Sequence, residues 1–285
     1  MEGNITNKST IVKVLNNNII LVKDKGVEKI ILSKGIGFNK KFGEIIESGL
    51  IVDKIFTIES KENQENFKEV VERIDNRFIA LCEEVIAEIS KELNEDLNES
   101  IHIGLIDHLA LAVKRLKKGD TIENPFIVEI ETLYVKEFEL AKKIAQRIET
   151  EYKMNFPDGE IGFITLHIHS ARNGGKLSNT VKYGYLSNTV IEYVEDELEI
   201  EIDRRSLDYA RFLTHIRFAI ERIITNNRLK NDLISVIKDT YPLSYGISTE
   251  IAKIIGEELD KEVTEDEVAY LAMHIERFRV SFIND

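Results

Sequence analysis

A gapless internal repeat, in which residues 107–115 align with 214–222 and residues 160–167 with 267–274, is the strongest constraint that this 285-residue sequence places on its fold. His108 aligns with His215 and His167 with His274, so each copy carries two histidines at the same separation. The flanking segments keep the same order of apolar residues. A repeat of this kind indicates two copies of one folded module. Histidine at two equivalent places in both copies indicates that the four residues share a function.

Residues 1–60 lie outside the repeat and are predicted to form strands. Short segments rich in Ile and Val are separated by turn-forming residues at 16–18 and 24–26. The predicted strands are Thr10–Leu15, Ile19–Lys23, Glu28–Leu32 and Leu50–Ile58. We expect a small antiparallel sheet. Because so small a unit buries little surface by itself, we also expect it to pair with a second copy.

From Gln64 onward the apolar residues recur at helical spacing. The predicted architecture is therefore multidomain, with a small antiparallel β domain at residues 1–60 (the N-terminal domain) and two all-α helical bundles at residues 64–173 (the first module) and 176–285 (the second module). Residues 60–63 and 173–175 are predicted linkers. The predicted helices span 64–93, 101–117, 125–137, 138–152 and 158–171 in the first module, and 180–198, 203–225, 230–240, 246–259 and 264–281 in the second.

Composition limits the classes of protein that fit this chain. The net charge is −13, but residues 1–60 hold nine lysines and seven acidic residues, a net charge of +2. The single cysteine, Cys82, excludes an intramolecular disulfide and lies on an apolar helical stripe typical of a core. No apolar run is long enough to span a membrane, and the start lacks a signal-peptide pattern. We expect a cytoplasmic protein with no membrane insertion.

Each repeated histidine has charged neighbours at helical spacing. Arg115 follows His108 by seven residues, and Arg222 follows His215 by seven. Seven residues make nearly two turns, so each arginine lies on the same helix face as its histidine. A neutral imidazole can accept a phosphoryl group, and an arginine can pair with it through two hydrogen bonds. The alternative for any one histidine is a core or interface residue with satisfied hydrogen bonds.

Metal binding and enzymatic catalysis are weaker interpretations. The chain has no cysteine pair and no His-Glu-x-x-His motif. His102 and His169 have Tyr209 and Glu276 as counterparts in the other copy, so we interpret both as ordinary polar residues. No Gly-x-Ser-x-Gly motif is present, and the segment 33–43 lacks the later glycines of dinucleotide and phosphate-binding loops. We expect no metal site, no cofactor and no enzyme.

The segment 33–43 is rich in glycine and lysine and has two interpretations. It is either a flexible connection between strands or a platform for RNA. In the second case Lys34, Lys40 and Lys41 meet phosphates and Phe38 stacks on a base. Asn16, Asn17 and Asn18 add amides that suit base edges or 2′-hydroxyl groups.

These motifs together resemble a known family of regulators. Residues 12–18 followed by 35–41 resemble the co-antiterminator RNA-binding domain of the BglG/SacY transcription antiterminators. The repeated modules resemble the two phosphotransferase-system regulation domains of that family, on the motifs 107–108, 166–171, 214–222 and 273–277. Residues 124–126 and 167–171 are most similar to the glucose-type branch, the antiterminator of the glucose (ptsG) operon. The resemblance covers nearly the whole chain.

The resemblance implies a mechanism and a set of site residues. A homodimer of the N-terminal domain binds a leader-RNA hairpin and prevents an overlapping terminator hairpin from forming. The enzyme II sugar permease, here the glucose type, phosphorylates the first module and inactivates the protein, whereas the phosphocarrier HPr phosphorylates the second module and activates many members. The phosphate acceptors carried over are His108, His167, His215 and His274, with Arg115 and Arg222 as phosphate-pairing candidates. The RNA contacts carried over are Lys13, Asn18, Lys34, Gly35, Phe38 and Asn39.

Two departures from the family pattern and two other function classes stay open at this point. Ser33 replaces a usual glycine and Lys34 a common arginine, so a bidentate contact at position 34 is in doubt. A DNA-binding activator with the same regulation modules would need a helix-turn-helix in front of them, which the strand-like pattern of residues 1–60 disfavours. A metal or phosphoryl-transfer enzyme would need a substrate motif that the sequence does not show.

Overall fold

The computed structural model describes residues 3–174, 177–227 and 229–283, together with the side chains of most of them. The chain forms two compact units. The first comprises Met1–Asn124 and Lys136–Leu177, and the second comprises Pro125–Val135 and Ser178–Asp285. In the predicted linker 173–175, Asn173 and Gly174 form a turn, while Gly175 lies outside the described residues. The predicted domain limits at 1–60, 64–173 and 176–285 stay predictions.

The N-terminal domain is an antiparallel sheet, as predicted. The described strands are β1 (Gly3–Asn4), β2 (Ser9–Asn16), β3 (Ile19–Asp24), β4 (Val27–Leu32), β5 (Ile45–Ile46), β6 (Ile51–Val52) and β7 (Lys54–Ile58). Five of them pair in the order β5-β2-β3-β4-β7, and β1 pairs with β6. The fourth predicted strand, 50–58, is two strands, β6 and β7, because Asp53 interrupts the pairing.

The hairpins follow from turn chemistry and from the apolar pattern. Asp24 pairs with Val27 across a two-residue loop in which Lys25 and Gly26 both have positive φ, at 49° and 93°. That backbone matches the twist of the strands it joins and favours glycine at the second position. Ile11, Ile20 and Ile31 come from the three central strands and are buried together in one cluster. Their burial fixes the register, since a shift by one residue would expose all three.

Everything described after residue 60 is helical apart from turns and short connections. The first unit contains α1 (Lys61–Arg73), α2 (Asn76–Leu93), α3 (Ile101–Leu116), α5 (Val135–Tyr152) and α6 (Asp158–Arg172). The second contains α4 (Ile127–Leu133), α7 (Leu177–Leu198), α8 (Leu207–Thr225), α9 (Ile234–Thr240), α10 (Pro242–Leu259) and α11 (Glu265–Ile283). Cys82 is fully buried in α2, and burial raises the pKa of its thiol well above the usual range, as expected of a core residue.

The predicted linker at 60–63 is wrong. Ser60 caps α1, its side chain accepting from the Asn63 amide, so Lys61 to Asn63 form the first helical turn. A polar run that starts with serine is also a helix N-terminus signature. Glu99 accepts from the Ser60 amide and from the Asn63 side chain. Burial opposes its charge, but these hydrogen bonds and one from the Glu59 amide hold the pKa of Glu99 below its usual range.

The predicted helix 64–93 is two helices. Ile74 has an extended backbone, and Asp75 starts α2 by accepting from the amides of Arg77 and Phe78. The predicted helix 125–137 is likewise interrupted, because Tyr134 leaves the helical backbone between α4 and α5. The same interruption occurs at the equivalent Tyr241, after which Pro242 starts α10 four residues earlier than predicted.

Two short helices at equivalent repeat positions are used differently. Helix α9 packs on α10 and α11, and Ile237 is buried among residues from both. Its counterpart α4 packs on α8, where the buried Tyr209 hydroxyl donates to Glu129 Oε1 at 2.6 Å. Residues 125–134 therefore precede α5 in sequence but belong to the second compact unit.

The cap at Asp75 gives a direct test of the helix break. Asp75→Ala should lower the free energy of unfolding by ~1 kcal/mol, because two amides of α2 lose their acceptor. Asp75→Asn should retain most of the stability because the amide oxygen still accepts. Urea unfolding followed by circular dichroism compares the three chains. Equal losses in both variants would show that the carboxylate charge, rather than the cap, is what matters.

Candidate functional site

The two histidines of the first module face each other from α3 and α6. These helices pack directly against one another, with Leu105 and Leu109 buried on α3 and Ile164 and Ile168 on α6. The turns that carry His108 and His167 are held together by this apolar contact, and the two imidazole centroids lie 5.2 Å apart. The histidine spacing that the repeat conserves thus becomes a direct side-chain pair.

A buried carboxylate organises the pair from one side. Glu160, at the start of α6, is fully buried and accepts from Arg115 Nη2 at 2.8 Å. His108 Nε2 lies 3.1 Å from the other carboxylate oxygen without aligning for a hydrogen bond. Burial raises the pKa of Glu160, but His108 and Arg115 outweigh it and leave that pKa below its usual value. The prediction that His108 and Arg115 lie on one face of a helix is confirmed. Both side chains approach the carboxylate of Glu160.

His167 is held as a neutral imidazole. Burial and the nearby His108 lower its pKa to about 3, so its ring nitrogens carry no second proton near pH 7. Gly104 of α3 makes room for it, since a Cβ at that position would lie 3.1 Å from His167 Nδ1. A neutral ring keeps a lone pair available, which is what a phosphoryl acceptor needs.

The second module repeats the arrangement with closer rings. His215 of α8 and His274 of α11 stack with centroids 3.5 Å apart and planes 19° apart. Burial and the charge of His215 lower the pKa of His274 to about 4, with Arg277 and Arg222 adding to the effect. The pKa of His215 is lowered by burial and by the same two arginines. Tyr270 lies edge-on to both rings.

The carboxylate is engaged differently in the second module. Arg222 binds Glu267 through two hydrogen bonds of 2.7 Å each, from Nε and Nη2, so both carboxylate oxygens are occupied. In the first module Arg115 uses only Nη2, and its buried Nε has no partner among the described residues. Glu160 and Glu267 are site residues that the sequence analysis did not assign. The repeat offset that aligned the histidines also aligns these two acids.

His102 and His169 lie outside the two histidine pairs. His102 is buried, with Nδ1 2.8 Å from Glu83 Oε2, and its ring contacts Phe56. His169 Nδ1 lies 3.0 Å from Glu137 Oε1. Both histidines therefore have structural partners, which agrees with their interpretation as ordinary polar residues. The near-complete burial of His102 was not predicted.

The segment 33–43 is the loop that connects β4 to β5, and its backbone conformation is constrained. Gly35 has a φ of +76°, and its amide donates to Asn18 Oδ1 at 2.9 Å. A Cβ at Gly37 would lie 2.2 Å from the Asn16 carbonyl oxygen, so only glycine fits there. Asn39 also has a positive φ, of 55°. These constraints turn the Phe38 side chain outward, where 62% of it is exposed.

Five of the six candidate RNA-contact residues lie together at this loop. Asn18, at the end of the β2–β3 turn, is hydrogen-bonded to the loop, and residues 34, 35, 38 and 39 belong to it. Lys13 lies apart on β2, and its amine donates to the Val71 carbonyl oxygen at 2.6 Å. The segment is therefore a loop with a constrained backbone rather than a flexible connection, and its use as a platform for RNA stays a prediction.

Comparisons with known proteins decide the family. A family model of the CAT RNA binding domain matches residues 10–65, and a model of the PRD domain matches residues 83–171 and 188–278. Protein GlcT of Staphylococcus saprophyticus is 36% identical over 274 residues, which cover 95% of this chain and 98% of the relative. The GlcA/glcB genes antiterminator of Staphylococcus carnosus is 33% identical, over 93% of this chain and 94% of the relative.

This chain belongs to the family of transcription antiterminators that join a CAT RNA binding domain to two PRD domains. The resemblance to the glucose-type branch is confirmed by the identity to GlcT proteins along nearly the full length. A crystal structure of GlcT CAT-PRDI matches with a TM-score of 0.50 at 39% identity, covering 59% of this chain and 99% of that one. The relative from Staphylococcus carnosus is the one of these three that is named as an antiterminator.

The family assignment places each part of the site. The loop at 33–43 lies in the CAT domain, His108 and His167 lie in the first PRD domain, and His215 and His274 lie in the second. The DNA-binding alternative is wrong, because a CAT RNA binding domain stands where a helix-turn-helix would be needed. None of the described helices is long and apolar enough to cross a membrane.

The neutral state of His167 predicts a pH-dependent stability. The unfolded chain protonates this histidine near pH 6.5, whereas the folded chain does so only near pH 3. Below pH 6.5 the unfolded state therefore binds the extra proton, and His167 lowers stability progressively as the pH falls towards 3. His167→Gln removes this penalty. The free energy of unfolding of the variant, relative to that of the native chain, should therefore increase as the pH is lowered from 7 to 5.

Urea unfolding at several pH values measures this difference. Phe163→Leu alters packing beside the same histidines without removing a titrating group, so its stability difference should stay constant over that range. A constant difference for His167→Gln as well would show that its proton affinity is the same in both states.

Proposed function

We propose that this chain is a cytoplasmic homodimeric regulator, without catalysis of its own, that binds a hairpin in a nascent leader RNA and prevents a terminator hairpin from forming. Histidine phosphorylation by the sugar phosphotransferase system controls this binding. The observation that carries the proposal is the pairing of all four repeated histidines, two in each PRD domain, behind a CAT RNA binding domain. We assign phosphorylation to His108, His167, His215 and His274.

The electrostatics of the pairs support phosphoryl acceptance. Lowered pKa values keep His167 and His274 neutral, and a neutral imidazole nitrogen can attack the phosphorus of a phosphorylated donor. The family resemblance points to the glucose-type enzyme II as donor for the first PRD domain and to HPr for the second. Arg115 supports capture of the product, because its buried Nε is an unused donor beside His108.

The two PRD domains should respond differently to a phosphoryl group. On His108 the added charge of about −1.5 to −2 would meet the Glu160 carboxylate, which lies 3.1 Å away. The Arg115–Glu160 pair must then rearrange. In the second PRD domain Arg222 already occupies both oxygens of Glu267, and Arg211 and Arg277 line the pocket that holds His215 and His274. That environment favours an added anion. This difference supports opposed effects of phosphorylation in the two domains.

Histidine substitutions test the opposed effects. His108→Ala or His167→Ala should leave antitermination active in the absence of sugar, because the inactivating phosphoryl group has no acceptor. His215→Ala or His274→Ala should lower antitermination or leave it little changed. A reporter gene placed behind the terminator measures readthrough with and without glucose. Tyr270→Phe, which keeps both histidines of the second pair, serves as the matched control.

Protein levels must be measured in parallel. If all four alanine variants fail to accumulate, the histidines are required for folding and the assignment as phosphate acceptors loses its support. If the variants accumulate and readthrough no longer responds to sugar in the first pair only, the assignment to enzyme II holds for that pair.

Phe38 tests the RNA surface of the CAT domain. Phe38→Ala should weaken hairpin binding by ~1–3 kcal/mol, because a stacked base loses its aromatic partner. Phe42→Ala is the matched control, since Phe42 is 80% exposed on the same loop but is not among the candidate contacts. Fluorescence anisotropy with a labelled hairpin gives both dissociation constants. Equal effects of the two substitutions would remove Phe38 from the proposed interface.

A further inference from the structure

The CAT domain lies against the first PRD domain through residues on its proposed RNA-binding side. The Lys13 amine donates to the Val71 carbonyl oxygen at the end of α1. The Asn16 amide nitrogen donates to Glu84 Oε1 on α2 at 3.3 Å. Strand β2, which carries both residues, packs directly on α2. Functional groups suited to RNA are therefore already occupied by the protein itself.

A second set of contacts joins β7, at the edge of the sheet, to the end of α2 and the residues after it. The Lys54 amine lies 3.0 Å from Asp96 Oδ1 and donates to Ser90 Oγ at 3.2 Å. Lys54 belongs to β7, at the edge of the sheet, and Asp96 follows α2. The domain is thus fastened to α2 through Asn16 of β2 and through Lys54 of β7.

Between these contacts lies a cleft of about 810 Å³. Asn18, Lys34 and Asp53 are among the residues that line its CAT side, while Glu84, Glu88 and Asp96 are among those that line its α2 side. A space of this volume fits a small molecule and is far too small for the stem of an RNA hairpin. The carboxylates that line the same cleft as Lys34 would also repel RNA phosphates.

The carboxylates on α2 are held in place by an arginine of helix α5. Arg147 of α5 reaches Glu84 Oε2 at 2.6 Å, and it also pairs with Glu88. Lys91 adds one cation to the same wall. The pairing leaves Glu84 Oε1 directed at Asn16 of the CAT domain. Arg147 therefore acts as a positioning residue for the acidic face, although it neutralises part of its charge.

We propose that the acidic face formed by Glu84 and Glu88 of α2 and by Asp96 after its end masks part of the RNA-binding side of the CAT domain and competes with RNA for it. Binding of a hairpin then requires the CAT domain to separate from α2, which breaks the contacts of Lys13, Asn16 and Lys54. This inference rests on the proposed RNA-binding function and adds an autoinhibitory contact within one chain.

A reversible clamp tests the masking. Lys54→Cys and Asp96→Cys replace a contacting pair, and a short bis-methanethiosulfonate reagent joins the two thiols in the full chain. The probe is a labelled hairpin selected against the full chain from a randomised stem-loop RNA library. Clamping should weaken binding by more than about tenfold, because the open state is no longer populated. Reductant should restore the affinity of the unclamped variant.

Neither new cysteine is a candidate RNA contact, and the unclamped variant is the reference. The reagent-treated native chain controls for reaction at Cys82, which is fully buried. Clamped and released chains should give the same circular dichroism spectrum, so that a loss of binding is not a loss of fold. Undiminished binding by the clamped chain would overturn the masking.

Charge removal tests the competition in the opposite direction. Glu88→Gln with Asp96→Asn should tighten hairpin binding by about three- to tenfold, because the closed state loses charge opposite Lys34 and Lys54. Glu257→Gln with Glu258→Gln removes the same charge from exposed positions on α10 and should change affinity little. Equal tightening in the two double variants would mean that the effect comes from net charge alone, and it would overturn a specific role for α2.

The two proposals fail in different ways. If the library yields no hairpin that the full chain binds, the RNA-binding proposal fails and the masking fails with it. If a hairpin is bound and Lys34→Ala weakens it, while clamping and charge removal change nothing, the RNA-binding proposal stands and the masking alone is overturned.

Discussion

Each PRD domain depends on one buried carboxylate that joins two facing helices. Glu160 and Glu267 lie at the starts of α6 and α11, and each is paired with an arginine of the opposite helix, Arg115 or Arg222. Removing one partner from such a pair typically costs ~3–5 kcal/mol, because a charge is left buried without compensation. The pair therefore adds a charged constraint to the apolar contact that holds the two histidine-bearing helices together. His108 Nε2 lies 3.1 Å from the same carboxylate, so the phosphorylation proposed for His108 would perturb this ion pair.

The two copies of the repeat keep this pair and differ around it. At equivalent positions His102 contacts Glu83 and the sheet residue Phe56, whereas Tyr209 binds Glu129 of the short helix α4. The same surface of the module is thus covered by the CAT domain in one copy and by α4 in the other. The shared positions carry the histidine chemistry, while the divergent positions determine what each module is attached to. Duplication of one fold in this way provides two similar histidine pairs in different surroundings.

The sequence predicted local structure best where one physical signal dominated. Apolar periodicity located every helix-forming region of the described chain, and turn residues located the central hairpins of the sheet. The predicted boundaries of helices were wrong where one sequence pattern is compatible with two structures. The polar run after Glu59 suits a linker, but Ser60 also suits a helix cap, and the hydrogen bonds to Glu99 decide between them. The long helix expected over 64–93 failed because Asp75 offers a cap in the middle of an otherwise helical pattern.

By itself the sequence determined the duplication, the two histidine pairs and the glycine-constrained loop, because each is a matter of spacing and of backbone conformation. Only the tertiary structure decided which groups meet. The engagement of Arg115 by Glu160, the closer stacking in the second pair, and the contact of Asn16 with Glu84 all join residues that lie far apart in the sequence. Such contacts depend on how buried helix faces pack and on which charges must be neutralised there, and neither is encoded in local periodicity. The sequence therefore specified which histidines are paired, whereas the packing of helices specified the environment of each pair.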